Sequence, residues 1–228
     1  YKISSYGKKF KITRVMIIND DLGALREMPA KRAEAAARKI DDVAYAVLTA
    51  NNNMGDGHPI FDSTNHANDA VSGYLSAVSA TNLGYMIKLM KAQKDIAGKR
   101  RLNIQPQFFL GPIAIEGTAE TFFRSEKWAD SNTVATDSSL AASRANIYSG
   151  SYFTRVYEPR LDDDSPTAYY ILGPKGKTVK VVFLNGQEGP ILEMTQPGFT
   201  VEGFEYAVVQ DVGAYAVDYR GMVRNEGA

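Results

Sequence analysis

The stretch from Phe10 to Asn53, FKITRVMIINDDLGALREMPAKRAEAAARKIDDVAYAVLTANNN, decides the architecture. Its first part mixes Lys11, Thr13 and Arg14 with Phe10, Ile12, Val15, Met16, Ile17 and Ile18, and a β-branched run of this kind predicts a strand. Asn19-Asp20-Asp21 breaks that strand as a polar turn, where Asn and Asp oxygens also suit the free N–H groups of a helix start. Pro29 then suits the first turn of a helix. From Ala30 onward Ala33, Ala36, Ala37, Ile40, Val43, Ala44, Val47 and Leu48 recur at three- and four-residue steps, which predicts one long helix with an apolar stripe. Ala36, Ala37 and Ala44 are the residues expected to line its buried face. Twenty helical residues span roughly 30 Å, and small side chains let such a helix lie close to a sheet. The segment reads as a structural spine and carries no catalytic apparatus.

Downstream, residues 51–73 form a polar loop rich in Asn, Asp and Gly. A second helix is predicted from Thr81 to Ala97, with Leu83, Met86, Ile87, Met90 and Ala97 on one face, Gln93 as a polar interruption and Gly98 as its stop. A short strand follows over Gln107–Leu110, and Pro112 opens a third helix, Ile113 to Phe123. Trp128 to Arg144 reads as loop with at most a short helix. The last third turns β-rich: Tyr152–Glu158, Ala168–Leu172, Thr178–Leu184, Phe204–Val212 and Ala214–Tyr219, separated by Gly and Pro. Helices early and strands late predict an α+β fold.

The chain has 228 residues, 44% of them apolar and 23% charged, an ordinary globular balance that excludes wholesale disorder. Lys and Arg total 26 and Asp and Glu total 26, so the basic excess of a dedicated nucleic-acid binder is missing. The absence of cysteine excludes disulfides, thiolate zinc sites and a cysteine nucleophile. No apolar run approaches the roughly 20 residues of a membrane helix.

Candidate sites are few. His58 and His66 stand near Asp56, Asp62 and Asp69, but their spacing fits no metal-ligand pattern, and an exposed, solvated loop is the expected reading. A Ser-His-Asp hydrolase would need one of these two histidines, and no G-x-S-x-G elbow supplies the serine. Gly173 to Thr178 looks like a phosphate loop, yet Ile171 stands where the first glycine is required, and a hairpin turn is expected instead. Asp162-Asp163-Asp164 reads as an acidic turn. Residues 1–19 carry Lys2, Lys8, Lys9, Lys11 and Arg14 and no carboxylate, a one-sign patch that orients partners more than it binds them.

TRVMIINDDLGAL (13–25) with RAEAAARKIDDVAYAVLTANNNM (32–54) resembles major head subunits of Mu-like phages, within the Hong Kong 97 (HK-97) superfamily of tailed-phage capsid proteins. LNIQPQFFLGPIAIEGTAETFF (102–123) and GQEGPILEMTQPGFTVEGFEYAVVQDVGAYAVDYRGMVRN (186–225) resemble later parts of the same proteins, in the same order. The resemblance implies a capsid fold with the base of an extended loop at 1–20 and a peripheral domain holding the spine helix at 21–72. It further implies an axial domain at 73–194 and return strands of the peripheral domain at 195–228. The implied function is a structural shell subunit, not an enzyme, which assembles into pentamers and hexamers around DNA without specific binding and needs no cofactor. Its place would be the virion capsid, and the host cytoplasm during assembly. Prohead protease, portal and scaffolding proteins are the implied partners. Lys8, Lys9, Lys11 and Arg14 become candidate subunit-interface residues, opposite Asp162, Asp163 and Asp164, and Asn19, Asp20 and Asp21 a structural turn. The start at Tyr1 reads as a processed or partial product, with an N-terminal arm and much of the loop ahead of it. An encapsulin-like shell is the alternative of the same fold, and a metal-dependent hydrolase using His58 and His66 the alternative of another class.

Overall fold

The computed structural model describes residues 2–19, 24–129, 143–195 and 203–227. Its elements in chain order are β1 (Ser4–Thr13), α1 (Arg14–Ile18), α2 (Ala24–Thr49), α3 (Ala80–Ala92), β2 (Phe108–Gly111), α4 (Glu116–Arg124), β3 (Lys127–Ala129) and β4 (Ser143–Ala145). They continue with β5 (Thr154–Tyr157), α5 (Pro159–Asp162), β6 (Tyr169–Leu172), β7 (Val179–Phe183), β8 (Ile191–Thr195), β9 (Gly203–Ala216) and β10 (Met222–Asn225). Two compact units result, Tyr1–Leu48 with Val179–Tyr215, and Thr49–Thr178 with Ala216–Ala228. Their limits fall at 48/49, 178/179 and 215/216, where the sequence reading had divided the chain after 20, 72 and 194.

In the first unit β9 is the organising strand. β1 runs antiparallel along it from Ser4↔Val212 to Thr13↔Gly203, β8 pairs with it from Ile191↔Val209 to Thr195↔Glu205, and β7 joins the same sheet. Register places Phe10 opposite Tyr206, with the rings stacked at 5.1 Å, and Lys11 opposite Glu205, with an ion pair of 2.7 Å. Ile12, Val208, Gln210 and Val212 are buried, so one face of the β1–β9 pair supplies the core of this unit. Gly203 sits at φ 149, and a Cβ there would collide with the Ile12 carbonyl oxygen. Gly213 continues the strand, so the two segments expected at 204–212 and 214–219 are one.

The decisive stretch differs from expectation in three ways. The strand begins at Ser4 and ends at Thr13, because the Thr13 hydroxyl accepts the Met16 N–H at 3.3 Å and caps α1 over residues read as strand. Local capping outweighs the β-branched propensity here. The long helix starts at Ala24, so Pro29 lies inside it and forgoes the hydrogen bond to the carbonyl four residues earlier. Along α2, Ala33, Ala36, Ile40, Val43, Ala44 and Val47 are half-buried and Leu48 buried, whereas Ala37 is exposed. Replacing Ala37 by Phe therefore does not overpack a core; a thermal melt of Ala37→Phe should show a change within about 0.5 kcal/mol.

The second unit holds the larger core. Its sheet has the order β10-β6-β2-β5, antiparallel except for the parallel β2–β5 pair. Leu83, Met86, Ile87 and Met90 of α3, Ala119 and Phe123 of α4, and Phe109, Phe153, Tyr169, Ile171 and Val223 form one buried cluster with Tyr148. Ser79 caps α3, its hydroxyl accepting the Asn82 N–H. That helix stops at Ala92, not Ala97: Gln93 turns extended, and the Asp95 carboxylate accepts the N–H groups of Lys99 and Arg100 in a tight turn with Gly98 at φ 68. β3 and β4 form a two-stranded ribbon at the ends of the segment expected as loop; residues 130–142 between them lie outside the described residues. The turn at Gly173–Thr178 links β6 and β7, strands of two different sheets, so it is not a hairpin.

Candidate assembly surface

The loop after α2 is a packed structure, not the solvated one the sequence suggested. Asn51 acts as a strand partner for Phe61, with its Oδ1 accepting the Phe61 N–H at 2.7 Å and its Nδ2 donating to the Phe61 carbonyl at 3.1 Å. Asn68, fully buried, accepts the Asp62 N–H and donates to the Ile60 and Tyr219 carbonyls. His66 is only 3% exposed. Its Nε2 lies 2.7 Å from the Asp56 carboxylate and its Nδ1 3.1 Å from the Ile60 carbonyl, and its ring stacks on Tyr219 at 3.7 Å. Gln93 donates to the His66 carbonyl at 2.8 Å. His58 is exposed and approaches His66 only edge-on at 6.1 Å.

Both His66 nitrogens are thus engaged in holding the loop, which leaves no imidazole edge of that residue for a metal or a general base. No group of three or more metal-ligating side chains occurs among the described residues, and no described helix is long and apolar enough to cross a membrane. His66→Ala should destabilise the protein by about 1–3 kcal/mol, because two hydrogen bonds of a buried side chain and its stacking on Tyr219 are lost. His58→Ala should be neutral in the same melt, so a double variant loses stability through His66 alone.

Two carboxyls of the loop, Asp62 and Asp56, are lowered. The Asn65 side chain, then the Asn65 and Thr64 N–H groups, draw the Asp62 carboxyl down to about 2. The hydrogen bond to His66, followed by the His58 N–H, lowers Asp56. A lowered carboxylate stabilises the fold above its unfolded value near 3.8 and loses that contribution as pH falls through its folded value. Protection of the Thr64 and Asn65 amides, relative to their intrinsic exchange rates, should therefore fall between about pH 4 and pH 2, ahead of the core amides of β6; simultaneous loss at both places would contradict a local latch.

The residues singled out as interface candidates are split by the structure. Lys8 and Lys9 are exposed on opposite faces of β1, Lys11 is exposed but paired with Glu205, and Arg14 is exposed at the start of α1. Asp162 is not a free acidic group: its two oxygens accept the N–H groups of Ile113 and Ala114, each at 2.9 Å, and so cap the helical turn that leads into α4. Asp163 and Asp164 are exposed, with no ion pair among the described residues. Asn19 stands in the turn after α1, its N–H donating to the Val15 carbonyl at 3.0 Å; Asp20 and Asp21 lie outside the described residues.

What the sequence reading missed is apolar. All four of Val15, Met16, Ile17 and Ile18 are exposed, from 44% to 70%, and α1 buries none of its residues. Leu192 and Met194 of β8 are half-exposed or more, on the face that carries Tyr206 and Phe10. The signal was in the pattern itself, since Val15–Ile18 is a continuous apolar run with no polar alternation. In addition, a groove of about 530 Å³ opens between β1 and α2. Lys8, Arg32 and Lys39 reach it, Ala36 and Val208 form apolar wall, and Lys39 lies 5.2 Å from the Tyr6 ring centre.

Contiguous exposed apolar surface of this kind marks contact with another molecule, and the comparisons indicate the setting. A family model described as phage capsid protein matches residues 1–225. No curated protein sequence matches the chain. The fold is similar to a solved structure from Mycobacterium phage Patience, with a TM-score of 0.63 and 14% identity over 100% of this chain and 70% of that one. It is also similar to one from Mycobacterium phage Che8, with a TM-score of 0.53 and 14% identity over 99% and 72%. The holo-SrpI encapsulin complex from Synechococcus elongatus shares the fold at a TM-score of 0.50 and 11% identity, over 99% and 74%.

Proposed function

This chain belongs to the phage capsid protein family, and from that premise we propose that it assembles with copies of itself into the pentamers and hexamers of an icosahedral shell that encloses DNA. Its α+β architecture is the Hong Kong 97 capsid fold, and its role is that of a structural subunit of the virion capsid. Encapsulin shells share that fold, and the family match favours the phage capsid. The unit formed by residues 49–178 and 216–228 corresponds in this reading to the axial domain, and the unit with β1, α2 and β9 to the peripheral domain.

The observation that carries the reading beyond family membership is the unburied apolar helix α1. A subunit that exposes Val15, Met16, Ile17 and Ile18 in one run has a surface left for a neighbour. Contacts in which one surface meets a different surface on the next copy close into rings and shells. Zero net charge suits a wall that surrounds DNA without gripping it. Prohead protease, portal and scaffolding proteins are the partners this role calls for, and the host cytoplasm is where assembly would proceed.

Electron microscopy and analytical ultracentrifugation of the purified protein test the proposal, with capsomers or closed shells as the expected result. A strictly monomeric protein under all conditions, with its phage partners present, would refute it. Within an assembling preparation, Ile17→Asp together with Ile18→Asp should leave the circular dichroism spectrum unchanged and abolish particles.

A further inference from the structure

We propose that the groove between β1 and α2 is a receptor for the acidic turn at Asp163-Asp164 of a second copy of this chain; the inference rests on the shell reading and names one of its contacts. Three observations on the groove support it. Its charged lining side chains, Lys8, Arg32 and Lys39, are all basic. Arg32 and Lys39 stand seven residues apart on α2, with Ala36 between them, so both project from one face of the helix. Lys39 is engaged within its own chain, over the Tyr6 ring and 3.7 Å from Asp42, whereas Lys8 and Arg32 make no ion pair among the described residues.

The proposed occupant is held ready for this role. Asp162 spends its carboxylate on the Ile113 and Ala114 N–H groups, and the Leu161 carbonyl accepts the Asp164 and Ser165 N–H groups at 3.2 and 2.9 Å. The turn is thus fixed in place before it meets a partner, which lowers the ordering cost of binding. Asp163 and Asp164 are left facing outward, two carboxylates on a convex turn. The groove is concave, carries the opposite sign, and at about 530 Å³ has room for a few side chains. A DNA duplex presents one charge per roughly 1.7 Å along an extended axis and calls for a long basic stripe, not a compact recess beside Ala36 and Val208.

Charge exchange tests the contact. Variant one carries Lys8→Glu and Arg32→Glu; variant two carries Asp163→Lys and Asp164→Lys. Each alone places like charges in groove and turn, so at low salt each should fold, as judged by circular dichroism and thermal melting, yet lose shell formation by about tenfold or more in the concentration required. A chain carrying all four changes restores opposite charges across every such contact and should assemble. Should variant one fail to fold, Lys8→Gln with Arg32→Gln replaces it, and reduced assembly with a flattened salt dependence is expected.

Normal shells from both single-sided variants would overturn the contact while leaving the shell reading intact. Failure of the folded four-change chain to recover would likewise overturn it. Loss of assembly by variant one only, together with loss of fluorescent oligonucleotide binding that the parent shows, would assign the groove to nucleic-acid phosphates instead. A parent that never assembles would remove the shell reading, and this inference with it.

Discussion

Phe123→Ala should lower the stability of the second unit by about 3–5 kcal/mol, the range for emptying a fully buried aromatic position. Phe123 has no solvent exposure and sits among rings: Phe109 at 5.0 Å, Phe122 at 5.4 Å and Phe153 at 5.9 Å, all edge-on or nearly so. The residue comes from the last full turn of α4, while Phe109 comes from β2 and Phe153 from just before β5. Removing it opens a void at the place where helix and sheet meet, and close-packed neighbours relax only partly into such a void. For a chain of this size each kcal/mol moves the melting midpoint by roughly 2–4 °C. Phe123→Leu, which keeps most of the volume, should recover more than half of the loss. A melt of Phe123→Ala within 2 °C of the parent, at the precision that scale implies, would show that the cluster is not the unit's core.

Asp69→Ala should cost about 1.5–3 kcal/mol through a different cause, a shielded guanidinium that loses its bidentate partner and keeps only the more exposed Glu226. Arg224 Nε and a terminal nitrogen donate to the two Asp69 oxygens at 3.0 and 2.6 Å, with only 17% and 14% of the two side chains exposed. The backbone binds the same two segments, since Ala70 N–H donates to the Arg224 carbonyl and Arg224 N–H to the Asn68 carbonyl. Strand β10 is thereby joined to the loop 155 residues earlier in sequence. Loss of Asp69 leaves the guanidinium over the Phe61 ring at 5.5 Å, with Glu226 at 2.9 Å as its remaining anion. Asp69→Leu combined with Arg224→Met should be far less damaging than Asp69→Ala, because a fully apolar replacement strands no charge. Chemical denaturation of the three variants checks the order; equal losses in all of them would mean that packing, not charge, holds this junction.

Both predictions concern groups that sequence reading treated unequally. The apolar spacing of Leu83, Met86, Ile87 and Met90 gave the buried face of α3 directly, whereas Pro112 marked the start of a 3-10 turn, Ile113–Ile115, with the expected third helix, α4, beginning only at Glu116. Asp69 was noticed only as a possible metal ligand, since its partner Arg224 is remote in sequence and pairings of that range leave no local trace. His66 was read as solvated for the same reason: Tyr219, Gln93 and Asp56 bury and engage it, and only Asp56 is close by. Thr13 was read as part of the β-branched run, because a threonine suits a strand as well as a cap and only its hydrogen bond to the Met16 N–H tells them apart. Asp162 was grouped with Asp163 and Asp164 by sequence, whereas the fold uses the first internally and presents the other two outside. The unbroken apolar run Val15–Ile18 is plain in the sequence, but its exposure is a property of the fold, because a run of this composition ordinarily belongs to a core.

That exposed helix has a consequence for how the assembled particle responds to temperature. Covering Val15, Met16, Ile17 and Ile18 with a neighbour releases water from apolar surface, a process driven mainly by entropy near room temperature and accompanied by a negative heat-capacity change. Association that draws on such a term weakens on cooling. Particles built through α1 should therefore be cold-labile, shedding subunits on ice and re-forming when warmed, with their folded cores undisturbed in both directions.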